Sequence, residues 1–190
     1  MFQNNSLDTD TKRGLMDLCY QYMDRPMSDE TYNECSALLF YTAWFEELLF
    51  NNKVQQSPKN DEKICMDIAS KIDLTQFDFF GIYFCDRYFN NANTANTDEY
   101  FKNLRLKDSL IVPVKTALLR FKENKNRDAD LLYAYIMIVY RFRNNMFHGV
   151  KGLNALHEYS EQFKIINHFM SLLLKEILRL NYKGYNCNNQ

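Results

Sequence analysis

Arg143, Asn144 and His148 lie close together at the end of a strongly apolar run, Leu131 to Tyr140, and Gly149 follows them. Polar side chains in such a setting are costly unless they are paired or used. Arginine brings a permanent charge on a planar fork, and histidine ionises near neutrality and can move protons. Together they suit proton transfer beside an anionic group such as a phosphate. On a regular helix Asn144 and His148, four apart, share a face, whereas Arg143 and His148, five apart, point about 140° from each other. One protomer therefore does not easily close both around one phosphate. Two copies meeting at this point would pool two arginines and two histidines, so a symmetric dimer interface is an attractive place for the site.

The element that must position these residues runs from Asp130 to Phe147, long, free of proline and glycine, and closed by Gly149. It reads as a helix. Caps and breakers place the others. A first helix is expected from about Thr11 to Met23, before Pro26. A second is introduced by Ser28, Asp29 and Glu30 and runs through Phe50 to Asn51 and Asn52. A short one opens at Ser57-Pro58 and reaches Ser70, and Asp73 caps another that ends at Phe89. Residues 90–97 read as a polar surface loop. Ser109 to Lys125 holds a further helix with Pro113 near its start, and the last helix spans Leu153 to Leu180, followed by a polar tail over 181–190. In that last helix Leu156, Tyr159, Phe163, Ile166, Met170, Leu173, Ile177 and Leu180 form a stripe. It suits the core of a bundle first and a dimer seam second. With 46% hydrophobic and 15% aromatic residues over 190, and only five glycines and three prolines, the chain is expected to be one all-α domain.

Arg143-Asn144-x-x-x-His148-Gly149, the apolar helix before it and the long helix after it resemble the signature of the HEPN superfamily. These all-helical domains include many metal-independent ribonucleases of toxin–antitoxin and phage-defence systems. The likeness covers the last third of the chain. A weaker echo is Ala43-Trp44-Phe45-Glu46-Glu47-Leu48-Leu49, similar to an early apolar helix that carries an acidic residue in some such domains. Either Glu46 or Glu47 can fill that position. The resemblance implies an antiparallel helical bundle with peripheral short helices. It also implies a homodimer with the motif at or near its interface, and cleavage of tRNA or mRNA. In that reaction the ribose 2′-hydroxyl attacks the adjacent phosphorus. His148 would transfer protons, Arg143 would hold the transition-state charge, and Asn144 would orient His148 or a phosphate oxygen, with Asn145 in support. Some such toxins are controlled by an antitoxin that modifies a tyrosine two residues after the motif histidine. Here that position is Val150, which counts against this control and leaves another antitoxin or regulatory protein open.

Charge is unevenly distributed behind a net of −1. Residues 1–100 hold 8 Lys and Arg against 17 Asp and Glu, whereas residues 101–151 hold 11 against 4. The motif sits in the basic segment, where Lys102, Arg105, Lys107, Lys115 and Arg127 add to the positive field. Arg120, Lys122, Lys125, Arg141 and Lys151 are the candidates for gripping RNA, with a solvated helix face as the plainer account. Five scattered cysteines without a Cys-x-x-Cys pair agree with a reducing, cytoplasmic setting. His157 and His168, eleven apart, are too distant along one helix to share an ion, so neither metal nor cofactor is expected. The N-terminal residues carry no leader pattern, and Arg141 and Arg143 interrupt the longest apolar stretch, so no membrane association is expected. The main alternative is a non-catalytic module of the same fold that binds RNA, a nucleotide or a protein. A purely structural helical protein, with Arg143 and His148 as a paired core cluster, ranks last.

Overall fold

The computed structural model describes residues 13–14, 28–50, 58–89, 101–147, 156 and 158–182. Six α-helices account for most of them: α1 (Asp29–Phe50), α2 (Pro58–Ala69), α3 (Asp78–Phe89), α4 (Asp108–Asn124), α5 (Ala129–Phe147) and α6 (Ser160–Arg179). There is no strand among the described residues, and the protein is all-α. Of the first expected helix only Arg13 and Gly14 are described, and both are helical. The loop over 90–97, His157 and the end of the tail lie outside the described residues.

Local chemistry sets the helix ends. The Ser28 hydroxyl accepts the Thr31 N–H at 3.1 Å, and Asp29 and Glu30 occupy the first turn of α1, where the helix dipole favours negative charge. Pro58 opens α2, where its missing N–H leaves nothing unpaired. Asp73 accepts from the Thr75 N–H at 2.9 Å, but it caps a 3₁₀ turn, Leu74–Phe77, and α-helical geometry starts only at Asp78. Lys125 closes α4 in the left-handed region, with φ 52° and its N–H on the Phe121 carbonyl at 2.8 Å. The last helix departs from expectation. Its regular part starts at Ser160 rather than Leu153, and Leu156, Glu158 and Tyr159 lie in 3₁₀ turns. The three-residue step from Leu156 to Tyr159 fits a 3₁₀ repeat as well as an α-helix, so periodicity alone ran the two together.

α5 is the axis of the fold. Every residue from Leu131 to Tyr140 is at most 5% exposed, as befits a helix apolar on all sides and enclosed by others. α2 and α4 pack along it, and α1 touches it as well. Beside it the rings of Phe80, Tyr135 and Phe169 meet from α3, α5 and α6. Gly81 lets these layers close, since a Cβ there would lie 2.1 Å from the Tyr135 hydroxyl and 2.5 Å from the Phe121 ring. The α6 stripe packs along α1, with Phe163, Ile166, Met170, Leu173 and Ile177 buried inside the protomer. It is bundle core.

Helix directions are mixed. α4 and α5 are joined by a short turn and pack as an antiparallel hairpin. Along α1 and α6, Lys164 pairs with Glu30 at 2.8 Å, and one turn on Asn167 donates to the Glu34 carboxylate at 2.7 Å. The two pairs advance together, so α1 and α6 run in the same direction. An antiparallel relation thus holds for the hairpin and not for this pair.

Candidate functional site

The polar end of α5 presents two faces to two different neighbours. Arg141 and Asn145, four apart, share one face. Arg141 Nε donates to the Leu104 carbonyl at 2.9 Å and Asn145 Nδ2 donates to the same oxygen at 3.3 Å. Arg141 Nη2 also donates to Asn145 Oδ1 at 3.4 Å. Asn145 is buried, and this node ties the 101–107 segment to α5. Burial, and secondarily the nearby Arg105 guanidinium, pull the pKa of Arg141 down.

Arg143 faces the other way, toward α1. Its Nη2 lies 4.0 Å from Glu46 Oε2, and its Nη1 donates to Asn144 Oδ1 at 3.1 Å. The side chain of Glu46 is 17% exposed and that of Arg143 35%, so the pair sits at the boundary between core and solvent. Burial raises the pKa of Glu46, against the attraction of Arg143, which lowers it. At 4.0 Å the arginine does not fully offset the loss of water around the carboxylate. Beneath the pair is Tyr140, one turn before Arg143. Its hydroxyl is buried without a hydrogen-bond partner among the described residues. Burial drives its pKa well up, and the Glu46 charge adds to the effect. Sequence reasoning passed over Tyr140 because it reads as one more apolar position in the core helix.

Position on α1 separates the two glutamates in their surroundings. Leu38, Thr42, Phe45 and Leu49 are its buried stripe, and Glu46 borders that stripe while Glu47 is exposed. Glu46 alone meets Arg143. Elsewhere on α1, Leu39 is 36%, Trp44 47% and Phe40 78% exposed; Leu39, two turns before Glu46, shares its side of the helix, whereas Phe40 and Trp44 point away from it. His148, Gly149, Val150 and Lys151 lie outside the described residues.

The other basic candidates have partners on the protein. Arg120 pairs with Asp128 at 3.4 Å and with Asp130, Lys122 Nζ donates to the Phe89 carbonyl at 3.1 Å, and Lys125 Nζ lies 4.7 Å over the Phe121 ring centroid. These contacts are part of what joins α4 to α3 and α5. Among the described residues no cluster of three or more His, Cys, Asp or Glu could hold a metal ion, and no helix is long and apolar enough to cross a membrane. No family model, curated protein or solved structure matches the chain.

Proposed function

We propose that the protein is a metal-independent endoribonuclease of the HEPN type, cleaving RNA through attack of the 2′-hydroxyl on the adjacent phosphorus. The resemblance of Arg143-Asn144-x-x-x-His148-Gly149 to that superfamily suggests the reaction. The observation that carries it further is the approach of Arg143 to Glu46 across α5 and α1, a half-exposed cation beside a half-buried carboxylate. In this reading Arg143 places its fork on the non-bridging oxygens as negative charge builds there, a kind of stabilisation worth about 3 kcal/mol or more. Glu46 and Asn144 hold the guanidinium until substrate arrives. His148 transfers protons between the 2′-hydroxyl and the leaving 5′-oxygen.

One protomer offers one motif histidine, so an acid and base pair of histidines needs a second copy. The exposed apolar residues on the outward side of α1, Phe40 and Trp44 with Leu39 at their edge, favour a homodimer that covers them. A bacterial toxin–antitoxin or phage-defence role and a regulatory protein partner follow from the resemblance, and a cytoplasmic location from the cysteine usage; all belong to the proposal.

The test is incubation of the protein with total tRNA and a mixed RNA pool in chelator, beside Arg143→Ala and His148→Ala. Fragments ending in 2′,3′-cyclic phosphate that both variants fail to produce are the expected result. Cleavage that persists in either variant sinks the mechanism. Absence of cleavage by the parent protein transfers the site to a binding module. The structural reading instead expects both substitutions to lower the melting temperature.

A further inference from the structure

The cations of the basic segment divide by what they already hold. Arg120 is bound to Asp128 and Asp130, Lys122 to the Phe89 carbonyl, Arg127 to Asp78, and Arg141 to the Leu104 carbonyl. Lys102, Arg105 and Lys107 differ. Their side chains are exposed and make no hydrogen bond or ion pair among the described residues.

These three cations stand on a turn anchored to the core. Phe101, Leu104, Leu106 and Leu110 are each buried, so apolar anchors alternate with the exposed basic residues. The backbone is closed by the Leu104 N–H on the Phe101 carbonyl at 3.1 Å and the Arg105 N–H on the Lys102 carbonyl at 2.9 Å. Arg105 itself has φ 53°, a left-handed conformation that disfavours a residue with a Cβ and persists only where surrounding contacts impose it. From below, Arg141 and Asn145 both donate to the Leu104 carbonyl, fastening the turn to the last two turns of α5. The neighbour of Arg105 is thus another cation. The only carboxylate in the 101–110 segment, Asp108, is exposed in the first turn of α4.

We infer that the 102–107 turn is the phosphate-backbone contact surface of this protein, holding a single RNA strand beside the end of α5 through Lys102, Arg105 and Lys107. The choice of RNA rests on the ribonuclease reading. The placement of the grip rests on the structure, in which no described residue neutralises these three cations and Arg120, Lys122 and Arg141 are committed elsewhere. A preformed basic turn loses little freedom when it meets a polyanion, and its binding energy comes from release of counterions.

The test uses fluorescence anisotropy with an end-labelled, single-stranded 2′-O-methyl oligonucleotide, which lacks the attacking hydroxyl and so reports binding apart from cleavage. The variant combines Lys102→Gln, Arg105→Asn and Lys107→Gln, asparagine being chosen because it tolerates the left-handed region. A control combines Lys63→Gln, Lys71→Gln and Lys175→Gln, exposed residues on or next to α2 and on α6. Loss of three phosphate contacts lowers the slope of log affinity against log salt by about 2 and weakens binding roughly tenfold or more at low salt. The control is expected to stay within about twofold of the parent. Circular-dichroism melts of both variants check folding.

Unchanged affinity and slope in the turn variant, an equal loss in the control, no binding by the parent, or a parent that prefers anionic lipid vesicles to the oligonucleotide would each overturn the inference. Failure of the two readings is separable. Turn-dependent binding without cleavage of natural RNA leaves the surface standing and removes the ribonuclease. Cleavage with turn-independent binding does the reverse.

Discussion

Arg141 and Arg143 are two residues apart on one helix, yet they differ in every physical respect that matters for chemistry. Arg141 gives its Nε to a backbone carbonyl at 2.9 Å and shares that acceptor with the buried Asn145. A carbonyl carries no net charge and cannot leave, so this guanidinium is fixed in place. Arg143 faces a carboxylate at 4.0 Å and its own neighbour's amide at 3.1 Å, at the solvent boundary. Both contacts can lengthen when a more strongly anionic group arrives. The same residue type is structural on one face of α5 and adjustable on the other, and the 200° between the two positions decides which.

The largest effect that separates the faces is kinetic. Arg143→Ala is expected to lower the cleavage rate by about 10²–10³-fold, the usual cost of removing a donor that stabilises transition-state charge. Its melting temperature should stay close to that of the parent. A rate loss matched by Arg141→Ala in a fully folded protein would erase the distinction. Single-turnover cleavage and thermal melts of the two variants, run side by side, decide it.

The second effect is thermodynamic and falls on the opposite face. Asn145→Ala removes a buried donor and leaves both the Leu104 carbonyl and Arg141 short of a partner. It is expected to reduce stability by about 1–3 kcal/mol. Urea denaturation measures this directly. Because the same node seats the 102–107 turn, the variant should also show weaker oligonucleotide binding at a temperature where it remains folded.

How much of this contrast was legible from residues alone follows from where the partners lie. The bounds of α1, α2 and α4 were readable because Ser28, Pro58 and Lys125 act within a turn of themselves. The core helix was readable because ten successive buried residues need no register. Glu46 was in principle distinguishable from Glu47, since it lies four residues after Thr42 and three before Leu49 on the buried stripe. The apolar Leu39, Phe40 and Trp44 on the outward face blurred that stripe and hid the difference. The role of Arg141 was not legible, because its acceptor is a backbone oxygen in a turn distant in the chain, and every residue carries such an oxygen. For the same reason the basic residues looked alike, although the fold occupies some and leaves others exposed.

A smaller effect tests the balance at Glu46. Its pKa in the folded protein is raised, burial outweighing the Arg143 charge. A carboxyl with a raised folded value binds its proton more tightly in the native state than in the unfolded chain. Stability from this group is therefore present at low pH and is lost as pH rises from the ordinary carboxylate value through the raised one. Glu46→Gln should abolish that loss, so the stability difference between variant and parent grows in the variant's favour across this window and levels off above it. Denaturation at a series of pH values reads the difference. A difference that runs the opposite way would mean that Arg143 dominates, and that the pair is a tight ion bridge rather than an adjustable one.

The smallest effect concerns Lys125, which on charge alone belongs with the residues that grip RNA and on geometry belongs with the scaffold. It takes φ 52° to close α4, donates its N–H to Phe121, and lays its ammonium over the Phe121 ring. Glycine adopts that backbone without a Cβ penalty, but it also widens the unfolded ensemble and gives up the ring contact. These terms nearly cancel, so Lys125→Gly is expected to change stability by less than about 1 kcal/mol, a shift of roughly 2–4 °C at most in melting temperature. Oligonucleotide affinity should be unchanged, in contrast to the loss expected on neutralising Lys102, Arg105 and Lys107. If affinity falls and the melting temperature does not move, Lys125 acts on the polyanion after all. The line between scaffold and contact surface would then run through the end of α4 rather than through the turn that Arg141 holds.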